Sequence, residues 1–499
     1  MRKPTMSETI AILFLFTHAP PALAEVAVPA PAEGAAGSKC RGTVAPGTTT
    51  PTPADPYPLN AAGWGGEAGG GLFISRWVED WTGLTAANAA PPMKAVPLGG
   101  STSLTLSAEG RIRSEFFRHP QAGEHQSYDR SLFRGVTGAD LRFDRGLRVY
   151  GELAVGQVGG YRAGMGANFQ NDASLQQLFV EGRREIGSAL VGAMIGRQEF
   201  ADGPRQLVSL SDGPNIHRTW NGVRFYAHGE RLRFGAFDFR ATRLGSGAFD
   251  EGVNRAERLQ GINLSLIVSK QGGPNTYFEP FWLRTENPSS RLGGRVGLDR
   301  RDTYGARLWG RGGNVRFDWT AVHQSGDFMG EPTKAWGLFA VQSAALSENG
   351  WKPRLTSRVD LASGGDVSSR RGLGGFNPLY ASSSYLGEGQ FLSLRNLALL
   401  APGLSVAPTS TTNFSVEYGV AKRLTDRDAV YAGQLRPYAG TSEVRGHGAG
   451  ALLRAGGSWN ANQQLTLTAS YERFWPGAVL EQVGAQDGNY GYLGMTFRY

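Results

Sequence analysis

The sequence predicts an all-β fold: a transmembrane antiparallel up-and-down β-barrel of eighteen strands, with short periplasmic turns and long extracellular loops. Three observations predict it. A secretory leader is followed by no apolar run approaching the ~20 residues of a membrane helix. Stretches of alternating polarity recur from residue 101 to the last residue, and the connections between them alternate between tight and long. A hydropathy plot would read such a chain as soluble, because lipid-facing and lumen-facing residues average out along each strand.

The leader comes first. Met1-Arg2-Lys3 is a basic start, Ile10–Phe16 is a short apolar run, and Ala22-Leu23-Ala24 has small residues where a signal peptidase reads. Residues 1–24 are therefore expected to be a cleaved signal peptide that exports the chain to a Gram-negative outer membrane. Cys40, the only cysteine, has no partner for an intrachain disulfide and lacks the apolar run of a lipoprotein site. Residues 25–99 read as a Pro/Ala/Gly-rich periplasmic segment leading into the barrel. Its stretch 26–63 cannot bury enough apolar surface to fold alone.

The barrel is expected over residues 100–499. In STSLTLSAEGRIRSEF, Leu104, Leu106, Ala108 and Ile112 oppose Thr105, Ser107, Glu109, Arg111, Arg113 and Glu115. In NVRFDWTAVHQ, Val315, Phe317, Trp319 and Ala321 oppose Arg316, Asp318, Thr320 and Gln324. The same parity separates Leu355, Val359 and Leu361 from Arg354, Thr356, Arg358 and Asp360, and Leu465, Leu467, Ala469 and Tyr471 from Thr466, Thr468, Ser470 and Glu472. Successive side chains of a strand point to opposite faces, so each of these has one face for lipid and one for water. The chain closes on NYGYLGMTFRY, whose Leu493, Met495, Phe497 and Tyr499 share a parity. Phe497 and Tyr499 are read as the signal taken up by the barrel-assembly machinery.

Tight connections such as 143–148, 228–231, 310–314 and 459–464 take turns with long ones near 116–131, 157–174, 199–216, 242–256, 287–301, 363–389, 423–444 and 475–488. That alternation is the outer-membrane pattern, and the count gives eighteen strands with both termini in the periplasm. Setting aside the weakly patterned 390–399 and 445–458 would give sixteen.

A barrel of that size is expected to enclose an aqueous channel, which makes its inward residues the functional surface. Only seven of the 51 basic residues are lysine, so the cationic charge is almost all guanidinium, permanently protonated and able to grip carboxylates. Inward parity is assigned to Arg111, Arg113, Arg142, Arg224, Arg284, Arg307, Arg316, Arg354, Arg358 and Arg454, with Arg197 on the same argument. Glu109, Glu115, Asp318, Asp360, Glu417 and Glu472 lie among them. One charge ~7 Å from a passing carboxylate in water contributes about 0.6 kcal/mol, so a single arginine selects nothing and a ladder of them can select anions. The plainer reading of each is a wall charge that stiffens the barrel, or, for Arg197, a brace on Glu199 or on a folded-in loop.

Other classes fare poorly. The seven histidines are scattered without metal-ligand spacing, so no metal and no cofactor is expected, and no local partner completes a triad around the serines of LVSLSDG or ASSSYLG. The formal charge of +8 comes without a compact basic patch or aromatic platform for nucleic acid.

Several stretches resemble the alginate export family of outer-membrane barrels. RWVEDW (Arg76–Trp81) followed by MKAVPLGGSTSLTLSAEGRIR is similar to the family's periplasmic entry into the first strand. IGRQEFADGPRQLVSLSDGPNIHRTWNGVRF (195–225) carries its Gly-Arg-Gln-Glu and Pro-Asn…Arg…Gly-Val-Arg runs, and LGGFNPLYASSSYLGEG (373–389) its Phe-Asn-Pro-Leu-Tyr loop. The resemblance implies a monomeric eighteen-stranded barrel with an electropositive pore for an anionic uronate polymer. It carries over Arg197, Gln198, Glu199, Arg205, Asn215, Arg218 and Arg224 as motif positions. With the inward Arg111, Arg113, Arg316, Arg354 and Arg358, these are the expected lumen pathway.

The expected function is a passive outer-membrane channel passing an alginate-like polyuronate out of the periplasm, driven by periplasmic export partners. Outer-membrane lipid and lipopolysaccharide surround it. The alternatives are a diffusion porin for small anionic solutes and a non-conducting structural or adhesive barrel.

Overall fold

The computed structural model describes residues 71–82, 91–123, 125–143, 146–201, 206–270, 275–366, 374–382 and 384–499. The expected signal peptide, Cys40, the 26–63 stretch and Arg205 lie outside the described residues.

Eighteen strands form one closed antiparallel wall: β1 (Thr102–Arg118), β2 (Tyr128–Arg142), β3 (Leu147–Gly160), β4 (Asn171–Ile186), β5 (Ala189–Glu199), β6 (Thr219–His228), β7 (Leu232–Arg243), β8 (Gly252–Ile267), β9 (Thr276–Leu292), β10 (Arg295–Gly312), β11 (Val315–Phe328), β12 (Glu331–Ala345), β13 (Arg354–Ala362), β14 (Leu397–Val406), β15 (Thr412–Lys422), β16 (Gly448–Asn460), β17 (Leu465–Pro476) and β18 (Gly488–Arg498). Each pairs with its neighbours in sequence. The wall shuts where β18 meets β1, from Glu109 opposite Arg498 to Arg118 opposite Asn489. Closure leaves no open edge for lipid to contact, the condition a sheet must meet to span a bilayer. A short strand, Val96–Gly99, folds back onto the start of β1.

The strands present the two faces that the alternation predicts. Ile112, Phe133, Val223, Leu338, Leu400 and Leu493 are exposed on the outside. Glu109, Arg111, Arg113, Asp318, Arg358, Asp360, Glu417 and Glu472 are turned inward and buried. Trp282, Tyr304 and Trp336 belong to one outward row running across β9 to β12 through His323. Phe317, Trp319, Trp459 and Phe497 lie toward the opposite end, so aromatic residues border the apolar band on both sides.

Three expectations are corrected. No long connection exists at 287–301, because Gly293 and Gly294, with φ of 57° and 80°, make a two-residue turn between β9 and β10. A second tight turn joins β11 to β12, so these strands end in hairpins and not in long loops on that side. Segment 390–399 is mostly loop, with β14 beginning at Leu397. Arg284 is outward and exposed between buried Leu283 and Thr285, beside Asp302 in the register.

At the chain end Phe497 is 45% exposed on the lipid face. Tyr499 continues the ladder by exchanging two 2.8 Å backbone bonds with Ala108. Its ring does not meet open lipid, because Lys94 lies 5.2 Å over it and its hydroxyl donates to the Pro92 carbonyl.

Candidate functional site

The bore is occupied at three levels instead of being open along its length. From the periplasmic end enters the segment Gly71–Thr82, with Arg76, Trp77, Val78, Glu79 and Trp81 all buried. From the extracellular end two loops fold inward, the first between β5 and β6 and the second between β13 and β14. They meet inside the barrel, where Ser209 N donates to Tyr380 O at 3.0 Å and Tyr380 N to Leu207 O at 2.7 Å. Beneath them lies an apolar shelf of inward residues: Phe200, Trp220, Phe237, Phe239, Leu259, Leu283 and Phe339. Burying such faces is what holds a loop in a lumen that is otherwise polar.

Arginines of the wall fasten the loops by their main chain. Arg111 donates to the carbonyls of Asp212 at 2.6 Å, Gly213 at 3.1 Å and Pro214 at 2.7 Å. Arg358 and Arg454 both donate to Tyr385 O, at 2.6 and 3.1 Å, and Arg218, at the end of the first loop, ties it to the second by donating to Tyr380 O at 2.6 Å. Glu472 accepts from the amides of Glu388 and Gly389 at 2.8 and 3.0 Å. Around these, wall charges neutralise one another: Arg307 grips Asp318 at 2.6 Å and Glu279 at 3.1 Å, and Arg134 holds Glu109 at 2.5 Å and Asp212 at 2.6 Å.

His217 joins the first loop to the wall. Its Nδ1 lies 2.5 Å from Glu199 and its Nε2 2.7 Å from Asp212 of the same loop. Burial and the neighbouring Arg134 pull the imidazolium down, yet the two carboxylates prevail and raise it to about 9. A protonated ring can donate to both carboxylates, while Arg134, 2.8 Å from Nε2 and 2.6 Å from Asp212, is the contact that opposes that protonation.

Of the expected pathway residues, Arg113 and Arg218 reach open space, whereas Arg111, Arg358, Gln198, Glu199 and Asn215 are buried in the loop seats. Asn215 donates to Gln157 O at 3.1 Å and Phe169 O at 2.7 Å. Arg224 lies 5.0 Å over the Trp77 ring. Arg316 and Arg354 are half-buried near the periplasmic rim, where Arg354 reaches Ser343 Oγ at 3.2 Å. Arg197 stands on the opposite side of the wall from that expected. It shares the outward parity of Ile195, sits between Leu178 and Asn221 in the register, and is capped by Glu251 at 3.0 Å.

The open space is an extracellular vestibule of about 500 Å³ between the loops and the wall. Four guanidinium groups line it, Arg113, Arg130, Arg218 and Arg291, of which Arg113 is paired with Glu115 and Glu388 and Arg130 with Glu115. Asn168, Asn287, Ser289, Asn377 and Ser382 add hydrogen-bonding groups, and Phe169, Leu379, Leu386 and Leu394 add apolar surface. Cations, hydrogen-bonding groups and apolar patches thus lie side by side on its wall. Arg130, Arg291 and Glu388 had not been singled out from the sequence, since each lies in a stretch read as a connection. Among the described residues no group of acidic, histidine or cysteine side chains could hold a metal ion.

Residues 102–492 match the alginate export family. The chain belongs to the alginate export family. Its members' barrel architecture is shared by solved outer-membrane porins at low identity. Pseudomonas aeruginosa OccK2 (OpdF), solved in complex with glucuronate, superposes with a TM-score of 0.51 at 12% identity, covering 79% of this chain and 97% of that one. OccK9 (OpdG) of the same organism gives 0.52 at 13%, over 80% and 98%. A BenF-like porin from Pseudomonas fluorescens Pf-5 gives 0.52 at 9%, over 80% and 98%. No curated protein matches significantly in sequence. These likenesses carry the fold alone, a closed antiparallel β-barrel.

Proposed function

We propose that this alginate export family barrel is a channel, not an enzyme, passing an anionic polysaccharide of the polyuronate class out of the periplasm. The observation that supports it most is the vestibule, where Arg218 and Arg291 join the ion-paired Arg113 and Arg130 beside hydrogen-bonding and apolar surfaces. Fixed cations in a narrow, partly dehydrated lumen act on a carboxylate more strongly than in open water. The glucuronate in OccK2 is a monomer of the same chemical class, bound by a barrel of the same fold. Cleavage of residues 1–24, a monomeric state and delivery of polymer by periplasmic partners complete the reading.

A second reading is favoured by size. About 500 Å³ falls within the roughly 300–1,000 Å³ of a small-molecule site, which suits a diffusion porin for small anionic solutes. Planar-bilayer recordings with uronate oligomers of increasing length separate the two. A polymer channel is blocked for longer by each added sugar, well beyond the length that fills the vestibule. Block that stops growing at the monomer or dimer would replace the export reading with the small-solute porin, and indifference to uronates altogether would remove both.

A further inference from the structure

We infer that Gly71–Thr82 is an autoinhibitory plug, which closes the periplasmic half of the lumen until it is withdrawn. The inference rests on the channel reading above.

The segment is seated by side chains. Arg148 donates to the Trp77 carbonyl, and Arg142 donates to the Glu79 carbonyl at 2.9 Å while pairing with Asp80. The Trp77 ring meets Phe179 edge-on at 6.0 Å with the Arg224 guanidinium over it. Arg76 donates to Tyr499 O at 2.5 Å, tying the segment to the last residue of the wall. These anchors come from β2, β3, β4, β6 and the end of β18, which lie on one arc of the wall, so the segment projects into the bore from that side and does not follow a single strand.

Depth shows how far the obstruction reaches. Ile74 and Arg76 border a water-sized void together with Glu109, Arg134, Asn215 and His217, at the foot of the first extracellular loop. On that side of the lumen the periplasmic insert and the loop thus meet and leave no wide passage between them.

Withdrawal would leave the wall intact. Among the described residues the segment's backbone-to-backbone hydrogen bonds are local, Val78 N to Ser75 O and Glu79 N to Arg76 O, at 3.3 and 3.2 Å. The barrel ladder satisfies its own backbone, so no rung breaks when the segment leaves. The arginines that hold it also have partners in the wall, since Arg142 and Arg148 both reach Asp140, at 3.0 and 2.7 Å. A permanent structural element would more often be stitched in by main-chain pairing, as Val96–Gly99 is.

The test compares the full mature chain, a chain lacking Gly71–Thr82, and Trp77→Ala/Asp80→Ala, each shown to be a folded barrel by faster migration unboiled than boiled. In planar bilayers the expected result is a several-fold rise in single-channel conductance for both altered chains. The point variant keeps the test open if the deletion does not fold. In a Cys40→Ser background, Val78→Cys should resist a water-soluble maleimide and become reactive once Trp77 and Asp80 are also replaced. Equal, non-zero conductance in all chains overturns the plug and leaves the channel reading standing, making the segment a brace. No current from any folded chain overturns both.

Discussion

Raising the pH should loosen the first inward loop through His217. The ring is buried, with Glu199 of the wall on one nitrogen and Asp212 of the loop on the other, while Arg134 and Arg111 face Asp212 from β2 and β1. Folding raises it from the ordinary 6.5 to about 9. The stabilisation it contributes is therefore present in full below about pH 6.5, declines as the pH rises, and is gone above about 9. Each pH unit over that interval corresponds to about 1.4 kcal/mol, so the ceiling is about 3 kcal/mol, or on the order of a hundredfold in the equilibrium between seated and unseated loop. Single-channel recordings from pH 6 to 10 should show open-state noise growing between about 7 and 9, where the proton is lost. His217→Gln should be noisy already at pH 6 and show no further change over the same interval. A wild-type trace that stays constant from pH 6 to 10, or a His217→Gln trace that follows the wild type, would refute the latch.

Four further outcomes are expected. Reversal potentials under a salt gradient should report anion preference, weakened by Glu substitutions at Arg113, Arg130, Arg218 or Arg291 and fading as salt rises, since exposed charges are screened over ~10 Å at 0.1 M. Arg197→Glu should shift that preference no more than a change at Lys270, because Arg197 lies on the outside of the wall; a large shift would mean it acts on the pathway. Phe497→Asp/Tyr499→Asp should leave secretion intact and lower outer-membrane yield, by placing a charge on the lipid face and removing the ring that Lys94 covers; normal yield would remove the assembly-signal reading. Gly387→Leu should unseat the second loop and raise conductance, since Gly387 has φ +132° and an added Cβ would come 2.5 Å from Glu472 Oε2; unchanged conductance would show that the loop does not limit the pore.

The wall was legible in the sequence because its rule is local. Parity alone separates Leu104, Leu106 and Ile112 from Glu109, Arg111 and Arg113, and the same period carries through to Phe497. The misplacement of Arg197 shows the rule neglected rather than broken, since Ile195, two residues earlier and 61% exposed, already marks that parity as outward. Arg130 and Arg291 lie in stretches read as long connections, 116–131 and 287–301, into which β2 and β9 in fact extend. The occupied lumen had no local signature. Its contacts join residues far apart in the chain, such as Arg111 with Asp212, Arg113 with Tyr490 and Arg76 with Tyr499. Nothing in the period of a strand says which loop will fold inward, although the motifs at 195–225 and 373–389 lie across the two that do.

The way the loops are held bears on how an anionic polymer could move them. Arg111, Arg218, Arg358 and Arg454 all bind loop carbonyls, which are neutral acceptors. A carboxylate offers the same guanidinium a bond that is charged on both sides, which adds a Coulomb attraction and a bidentate geometry that a single neutral carbonyl lacks. On the export reading, each uronate arriving beside one of these arginines competes with the carbonyl already there, and the loop is released as the sugar is bound. The ladder of cations expected from the sequence is then absent from the resting barrel because its rungs are occupied by the loops. Gly387→Leu tests this coupling too: with the second loop displaced, Arg358 and Arg454 would face the lumen and anion preference would rise together with conductance. A rise in conductance with no change in preference would mean that these arginines only brace the wall, and that selectivity resides in the vestibule.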